Sequence, residues 1–503
     1  MMIVFLLIPS LLFCAAPSLP ALYASLDPSS VAEHFAFYEL YPQSREGKEA
    51  LRHAWSLLSR GESEADPSLR FPELELTSLL ALVNRSNEEE HPFLLQEQLA
   101  AIERLGKVLG NRKLKGHQFW NVEEILPLSS EEIDLSRGLL VAELGDQREK
   151  IRSFEASLDL MALQILARLP QGATHQEIIR KINDYIFSEM EFRFPPHSLY
   201  AKDIDLYTFL PSVLESRRGV CLGVSILYLC LAQRLELPME IITPPGHIFV
   251  RYVDAEGTIT NIETTARGLD IPTEHYLGIE TPALQNRTTK EVIGLAFMNQ
   301  AAVSWQNEQY SDAIALYEKA LLFLPEDYLA QLFLSFNYWA VGEEKKAKSL
   351  LEKIQGKAPE ALLSNNSLVE DLLAGRTDIS GVQALFSEVN ESRESILKKQ
   401  QELLRITEKF PLFRQGIFHL AITWLQLGRE KEALPILERL AALDAGNATV
   451  HYYLSAIALQ RHHFPKAWTH LHSLESLLTA RGYRPRAFVA LKKELASKCP
   501  DPL

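Results

Sequence analysis

A chain of 503 residues is too long for a single hydrophobic core and is expected to divide into about two to four domains. Its 47% hydrophobic and 23% charged content argues against global disorder. A formal net charge of -14, uninterrupted by any Lys/Arg-rich run, argues against nucleic acid and anionic membrane surfaces as partners.

The first predicted element is the apolar run that starts Met1-Met2-Ile3-Val4-Phe5-Leu6-Leu7-Ile8 and continues to Ala16. Its length fits a signal-peptide core, whereas a membrane span needs about 20 apolar residues. Ala21 and Ala24 offer small residues for cleavage, so residues 1–24 are expected to be a leader. The protein is then exported, to the periplasm or envelope; without a working signal it stays cytoplasmic. Phe13 just before Cys14 argues against a lipoprotein site. No other segment could span a bilayer, so no stable span is expected once the leader is removed.

Residues 25–149 read as a helical N-terminal region, with periodic apolar positions at Val31, Phe35, Phe37 and Leu40, then Leu94, Leu95, Leu99 and Ile102. Breaks near Pro67, Pro72 and Pro92 separate the helices, and no chemical motif lies among them.

Chemistry-bearing residues concentrate in 150–285. After Arg217-Arg218-Gly219-Val220, the run Cys221 to Ala232 is apolar nearly all round, as in a buried central helix. Cys221 stands at its start, where helix amides stabilise a thiolate, and Arg217 and Arg218 add positive potential if they face inward. Cys230 lies more than two turns deeper and is expected to be a buried thiol. Nine residues of helix separate the two by about 13 Å, too far for a disulfide, which needs Cα atoms within about 7 Å. Pro244-Pro245-Gly246-His247 then opens a strand, Ile248 to Val253. Asp254-Ala255-Glu256-Gly257 signals a turn, and Thr258 to Glu263 reads as the returning strand. A three-residue loop closed by Gly257 pairs Val253 with Gly257 and sets His247 directly opposite Glu263. A slip of one residue would turn Glu263 to the other face.

From Ile182-Asn183-Asp184-Tyr185-Ile186-Phe187 through Gly268, the chain resembles the bacterial transglutaminase-like family often fused to tetratricopeptide repeats. Phe209-Leu210-Pro211-Ser212-Val213-Leu214-Glu215, Arg218-Gly219-Val220 and Pro245-Gly246-His247 carry the resemblance. The order Cys, His, acid is similar to that of the wider transglutaminase and papain-like fold. The resemblance implies an α+β domain, a nucleophile at Cys221, His247 as its base and Glu263 as the acid that orients the imidazole.

The C-terminal half repeats itself every 34 residues. Gly294, Phe297, Gln300 and Ala301 precede Tyr310, Ala313, Tyr317, Ala320 and Pro325. Ser335, Ala347 and Leu351 fall 34 residues after Ala301, Ala313 and Tyr317, with Gly342 at the turn. A second pair begins near Arg414, where Leu420, Ala421, Trp424, Gly428, Ala433 and Leu437 are matched by Leu454, Ser455, Ala458, His462, Ala467 and Leu471. These four units resemble tetratricopeptide repeats, an all-α solenoid in which small residues let paired helices approach. Repeats are expected over 290–361 and 413–481, a degenerate repeat or insertion over 362–412 and a capping helix over 482–503. The repeat groove is expected to bind a protein or peptide.

His462, His463, His470 and His472 form a histidine-rich stretch, but His470 and His472 point apart on a helix, so no metal site is expected. The sequence has no phosphate-binding Gly loop, GxSxG elbow or dinucleotide fingerprint, so no cofactor is implied. The leading expectation is an exported cysteine acyl-transfer enzyme, a peptidase or amidase rather than a crosslinker, whose repeats recruit a protein or peptide. The alternative is a non-catalytic binding or assembly scaffold with the same fold.

Overall fold

The structure is a computed structural model that describes residues 18–60, 94–195, 207–357, 367–387, 389 and 392–501. It divides into two compact units, one comprising residues 1–109 and 155–181, the other 110–154 and 182–503. In the first unit, helices Val31–Leu40 and Arg45–Leu58 form a hairpin. Ser30 and Ser44 cap them, their hydroxyls accepting from the amides of Glu33 and Gly47. Val31, Phe35 and Phe37 are buried, and Phe35 meets Trp55 edge-on with ring centroids 5.4 Å apart. Helix Gln96–Leu105 buries Leu99 and Ile102. Leu40 and Leu95, expected on the apolar faces, are 72% and 46% exposed; each sits at a helix end, where the stripe leaves the core. The expected breaks at Pro67, Pro72 and Pro92, and the leader as far as Pro17, lie outside the described residues. Ala21 and Ala24 belong to the short helix Leu19–Ala24. Among the described residues no helix is long and apolar enough to cross a membrane.

The second unit is built around helix Cys221–Arg234, buried along almost its whole length. Gly223 permits this depth, since a Cβ there would stand 2.3 Å from the Tyr207 carbonyl oxygen and 2.8 Å from Val213 Cγ2. At the far end Gln233 is held by two bonds, accepting from the Leu135 amide and donating to the Ile133 carbonyl, both at 3.0 Å. Against this helix lies an antiparallel sheet of β1 (Glu240–Thr243), β2 (Phe249–Val253), β3 (Ile259–Ile262) and β4 (Gln285–Arg287), in the order β3-β2-β1-β4.

The hairpin register differs from the expected one. Val253 pairs with Ile259, not Gly257, and Val250 pairs with Ile262. The Asp254 amide donates to the Thr258 carbonyl, and the Asp254 carboxylate accepts from the Glu256 and Thr258 amides. Gly257, at φ 83°, therefore lies inside the loop as its left-handed residue, which a three-residue hairpin turn favours. The slip is two residues, so every side chain keeps its face.

The repeat region consists of helical hairpins. Thr289–Gln306 pairs with Tyr310–Phe323, and Tyr328–Ala340 with Glu344–Ile354. After the intervening stretch, Arg414–Gln426 pairs with Glu430–Leu443, and Ala448–Gln460 with Phe464–Ala480. The small residues predicted at the crossings, Ala301, Ser335, Ala421 and Ser455 on the first helices and Ala313, Ala347, Ala433 and Ala467 on the second, are all fully buried. Each hairpin turns through a left-handed residue at the same offset: Glu308, Gly342, Gly428 and His462. Between the pairs stand helices Ser367–Leu373, Ile379–Phe386 and Arg393–Lys409. The buried carboxylate of Asp371 accepts from the Arg414 guanidinium at 2.8 Å and its backbone amide at 3.0 Å, bolting the stretch to the third hairpin. Helix Arg486–Lys498 follows the fourth hairpin and buries Phe488, Leu491 and Leu495 with Trp468 and Leu471.

Both ends of the array touch the sheet-bearing part. At the near end, Arg287 of β4 pairs with Asp327 at 2.7 Å, and Asp327 also caps helix Tyr328–Ala340. At the far end, Tyr483 donates to the carbonyls of Gly278 (2.8 Å) and Thr281 (3.1 Å), and Thr449 donates to Glu280 at 2.6 Å.

Candidate active site

Cys221 is the first residue of its helix, with Val220 in extended conformation before it. Its backbone N–H is among the amides that a helix start leaves without an intrahelical acceptor. The thiol is partly exposed, whereas Cys230, deeper in the same helix, is fully buried. Cys221, Cys230 and Cys499 are free thiols; Cys14 lies outside the described residues.

His247 is delivered by a tight turn. Its amide donates to the Pro244 carbonyl at 3.1 Å, and Gly246 has φ +70°. Proline and glycine thus fill the two central positions of a type II turn, where proline's fixed φ and glycine's freedom are preferred. The His247 Nε2 is 2.7 Å from Glu263 Oε2. The Cys221 side chain also acts on the ring and favours its charged form. With Nε2 committed to the carboxylate, Nδ1 remains for the sulfur.

Glu263 follows β3 and is 3% exposed. Its Oε1 accepts from the Thr265 amide (3.1 Å) and hydroxyl (2.5 Å), and its Oε2 accepts from Tyr276 Oη at 2.7 Å. Burial disfavours the charged carboxylate, yet the bonds from His247, Thr265 and Tyr276 outweigh it and hold the carboxyl at about 2. Burial likewise disfavours a charged His247, and its interactions with Cys221 and Glu263 overturn that, raising it to about 10. The Tyr276 hydroxyl is pushed up by burial and by the adjacent carboxylate. Its ring stacks on Phe249 with centroids 4.5 Å apart. Ser225 and Thr264 share a 3.1 Å hydrogen bond that ties the Cys221 helix to the turn after Glu263.

Cys221, His247 and Glu263 are therefore brought together, although the strand register that suggested it was wrong. Glu263 pairs with no residue of β2; it bridges to Leu269 and reaches His247 through its side chain. Arg217, left-handed at φ 51°, is buried and donates to the Met190 carbonyl, while Arg218 is exposed. Thr265 and Tyr276 went unpredicted, and only a polar residue soon after an acid could have flagged the first. The C-terminal histidines separate: His470 faces His451 (Nδ1 to Nδ1, 3.2 Å), His472 bonds Asp501 at 3.0 Å, and His462 makes a turn.

Beside Cys221 and His247 opens a cavity of about 250 Å³. Its far wall is the first repeat helix, Thr289–Gln306, through Leu295, Met298 and Ala302, with Leu329 from the next.

Residues 152–288 match the transglutaminase-like superfamily. No curated protein matches the chain. Among solved structures, MamA from strain AMB-1 aligns with 37% of this chain and 92% of its own, at 19% identity and a TM-score of 0.19. TTC0263, a thermophilic tetratricopeptide-repeat protein of Thermus thermophilus, aligns over 41% and 97% at 16% identity and a TM-score of 0.20. Menin aligns over 75% and 96% at 12% identity and a TM-score of 0.34. The chain joins a transglutaminase-like domain to tetratricopeptide-type helical repeats.

Proposed function

We propose that this protein is an exported cysteine acyl-transfer enzyme, a peptidase or amidase, whose repeats recruit a protein or peptide. The observation that carries the reading is the Cys221–His247–Glu263 chain of side chains, with a 2.7 Å bond on its acid side and a half-buried imidazole held protonated up to about pH 10. In the reaction, the Cys221 thiolate attacks an amide or ester carbonyl carbon, and the carbon–sulfur bond forms. The backbone amide of Cys221 donates to the developing oxyanion. His247 then gives its proton to the departing amine as the carbon–nitrogen bond breaks. Water, activated by the now neutral His247, releases the acid and restores the thiol; an amine acceptor would give transfer instead. Glu263 fixes the imidazole and stabilises its charge.

Iodoacetamide labelling of Cys221 between pH 5 and 9, in the native protein and in His247→Ala, tests this. Labelling that persists well below pH 8 and disappears in the variant is expected, since an ordinary thiol ionises near pH 8.5. Identical, ordinary titration in both proteins would leave the scaffold as the better account.

A further inference from the structure

The cavity beside Cys221 is built for something the triad itself does not need. Leu295, Met298 and Ala302 occupy positions i, i+3 and i+7, one face of the first repeat helix, and each is only partly buried. Leu222, Ile248 and Leu329 complete the apolar lining. Of the polar residues around it, the charged one and the amide on the first repeat helix are engaged. Arg287 pairs with Asp327 and Glu291, and Asn299 donates to Thr208 at 2.9 Å. Among the described residues, no charged lining group other than His247 is left to greet a polar side chain. An apolar cavity of roughly 150 Å³ already accommodates a benzene-sized molecule. At about 250 Å³ this one has room for a branched or straight aliphatic chain of about six carbons or more.

We propose that this cavity receives the aliphatic chain on the acyl side of the scissile carbonyl, so that the first repeat helix sets which acyl group Cys221 accepts. The proposal rests on the acyl-transfer reading above. It names an aliphatic acyl donor, whether a leucine- or methionine-like residue of a peptide or a short fatty acyl chain, and disfavours glutamine. The repeats thereby act on specificity at the reacting centre itself.

The test uses the full chain and p-nitrophenyl esters from acetyl to octanoyl, with N-acetyl-leucine and N-acetyl-glutamine p-nitrophenyl esters as the peptide-like arm. In each, Cys221 Sγ bonds the carbonyl carbon, p-nitrophenolate departs with its electron pair, and the thiol proton remains on His247. The burst of p-nitrophenolate measures acylation. Rates are expected to rise about fourfold per methylene until the cavity is full. The leucine ester should exceed the glutamine ester at least tenfold. If only one arm shows the preference, that arm names the source of the chain.

Ala302→Phe is expected to move the optimum to shorter chains and Met298→Ala to longer ones. A misfolded variant would depress every ester alike, so opposite shifts report the cavity. A flat series with no leucine preference and unshifted variants, or a glutamine preference, overturns the proposal while leaving the acyl-transfer reading intact if labelling of Cys221 still depends on His247. Loss of that dependence removes both.

Discussion

Tyr276 holds more of the candidate site than its place in an irregular loop suggests. It is one of three side chains donating to Glu263, and its ring packs beside the imidazole it helps to orient. Tyr276→Phe removes a bond to a charged acceptor, typically worth about 1.5–3 kcal/mol. The carboxyl should then rise above about 2, which NMR titration of the Glu263 carboxyl checks. The acid also makes a stability statement. Its carboxyl is depressed from 4.5 to about 2, so its stabilisation is complete above pH 4.5 and fades as pH falls towards 2. Glu263→Gln should therefore lower Tm near neutral pH, with the deficit shrinking across that acid window.

At the level of elements, two glycines set the positions of the thiol and the ring. A Cβ at Gly246 would be held at φ +70°, costing about 1–2 kcal/mol, and the turn could relieve this only by moving His247. Gly223→Ala would push the Cys221 helix off the Tyr207 carbonyl, with a loss of about 1–3 kcal/mol as for other overpacked cores. Urea unfolding should register both losses, and both should slow labelling of Cys221. What was readable beforehand follows the same physics. The repeats announced themselves because a 34-residue period returns small residues to each helix crossing, and Ala301, Ser335, Ala421 and Ser455 are buried there. Cys221 and His247 were legible because a buried helix and a Pro-Gly turn leave strong local signatures. The partnership with Glu263 was found through a register that the Asp254 side chain displaces by capturing two amides, and it survived because the slip was even. Tyr276, on backbone with no period, left no trace that pattern could detect.

Across the second unit, one buried ion pair joins chemistry to repeats. Arg287 and Asp327 are each 8% exposed, and Asp327 also accepts from the Ala330 amide at 2.8 Å. Asp327→Ala would strip a helix cap and leave a buried guanidinium without its closest partner. Breaking such a pair costs about 3–5 kcal/mol, so the midpoint of urea unfolding should fall sharply. Because β4 carries Arg287 and borders the cavity, acylation by the longer esters should weaken more than that by acetyl.

The array is also fastened at its far end, where Tyr483 and Thr449 grip residues 278–281. Open solenoids gain and lose units freely over evolutionary time because each unit answers only to its neighbours. A clasp at both ends removes that freedom. Inserting or deleting one 34-residue hairpin would carry Tyr483 away from Gly278, so the number of hairpins is as much a property of this architecture as the thiol. Variation among proteins built this way should appear as substitutions within hairpins or as growth beyond the terminal helix, and not as a change in the count between the two fastenings.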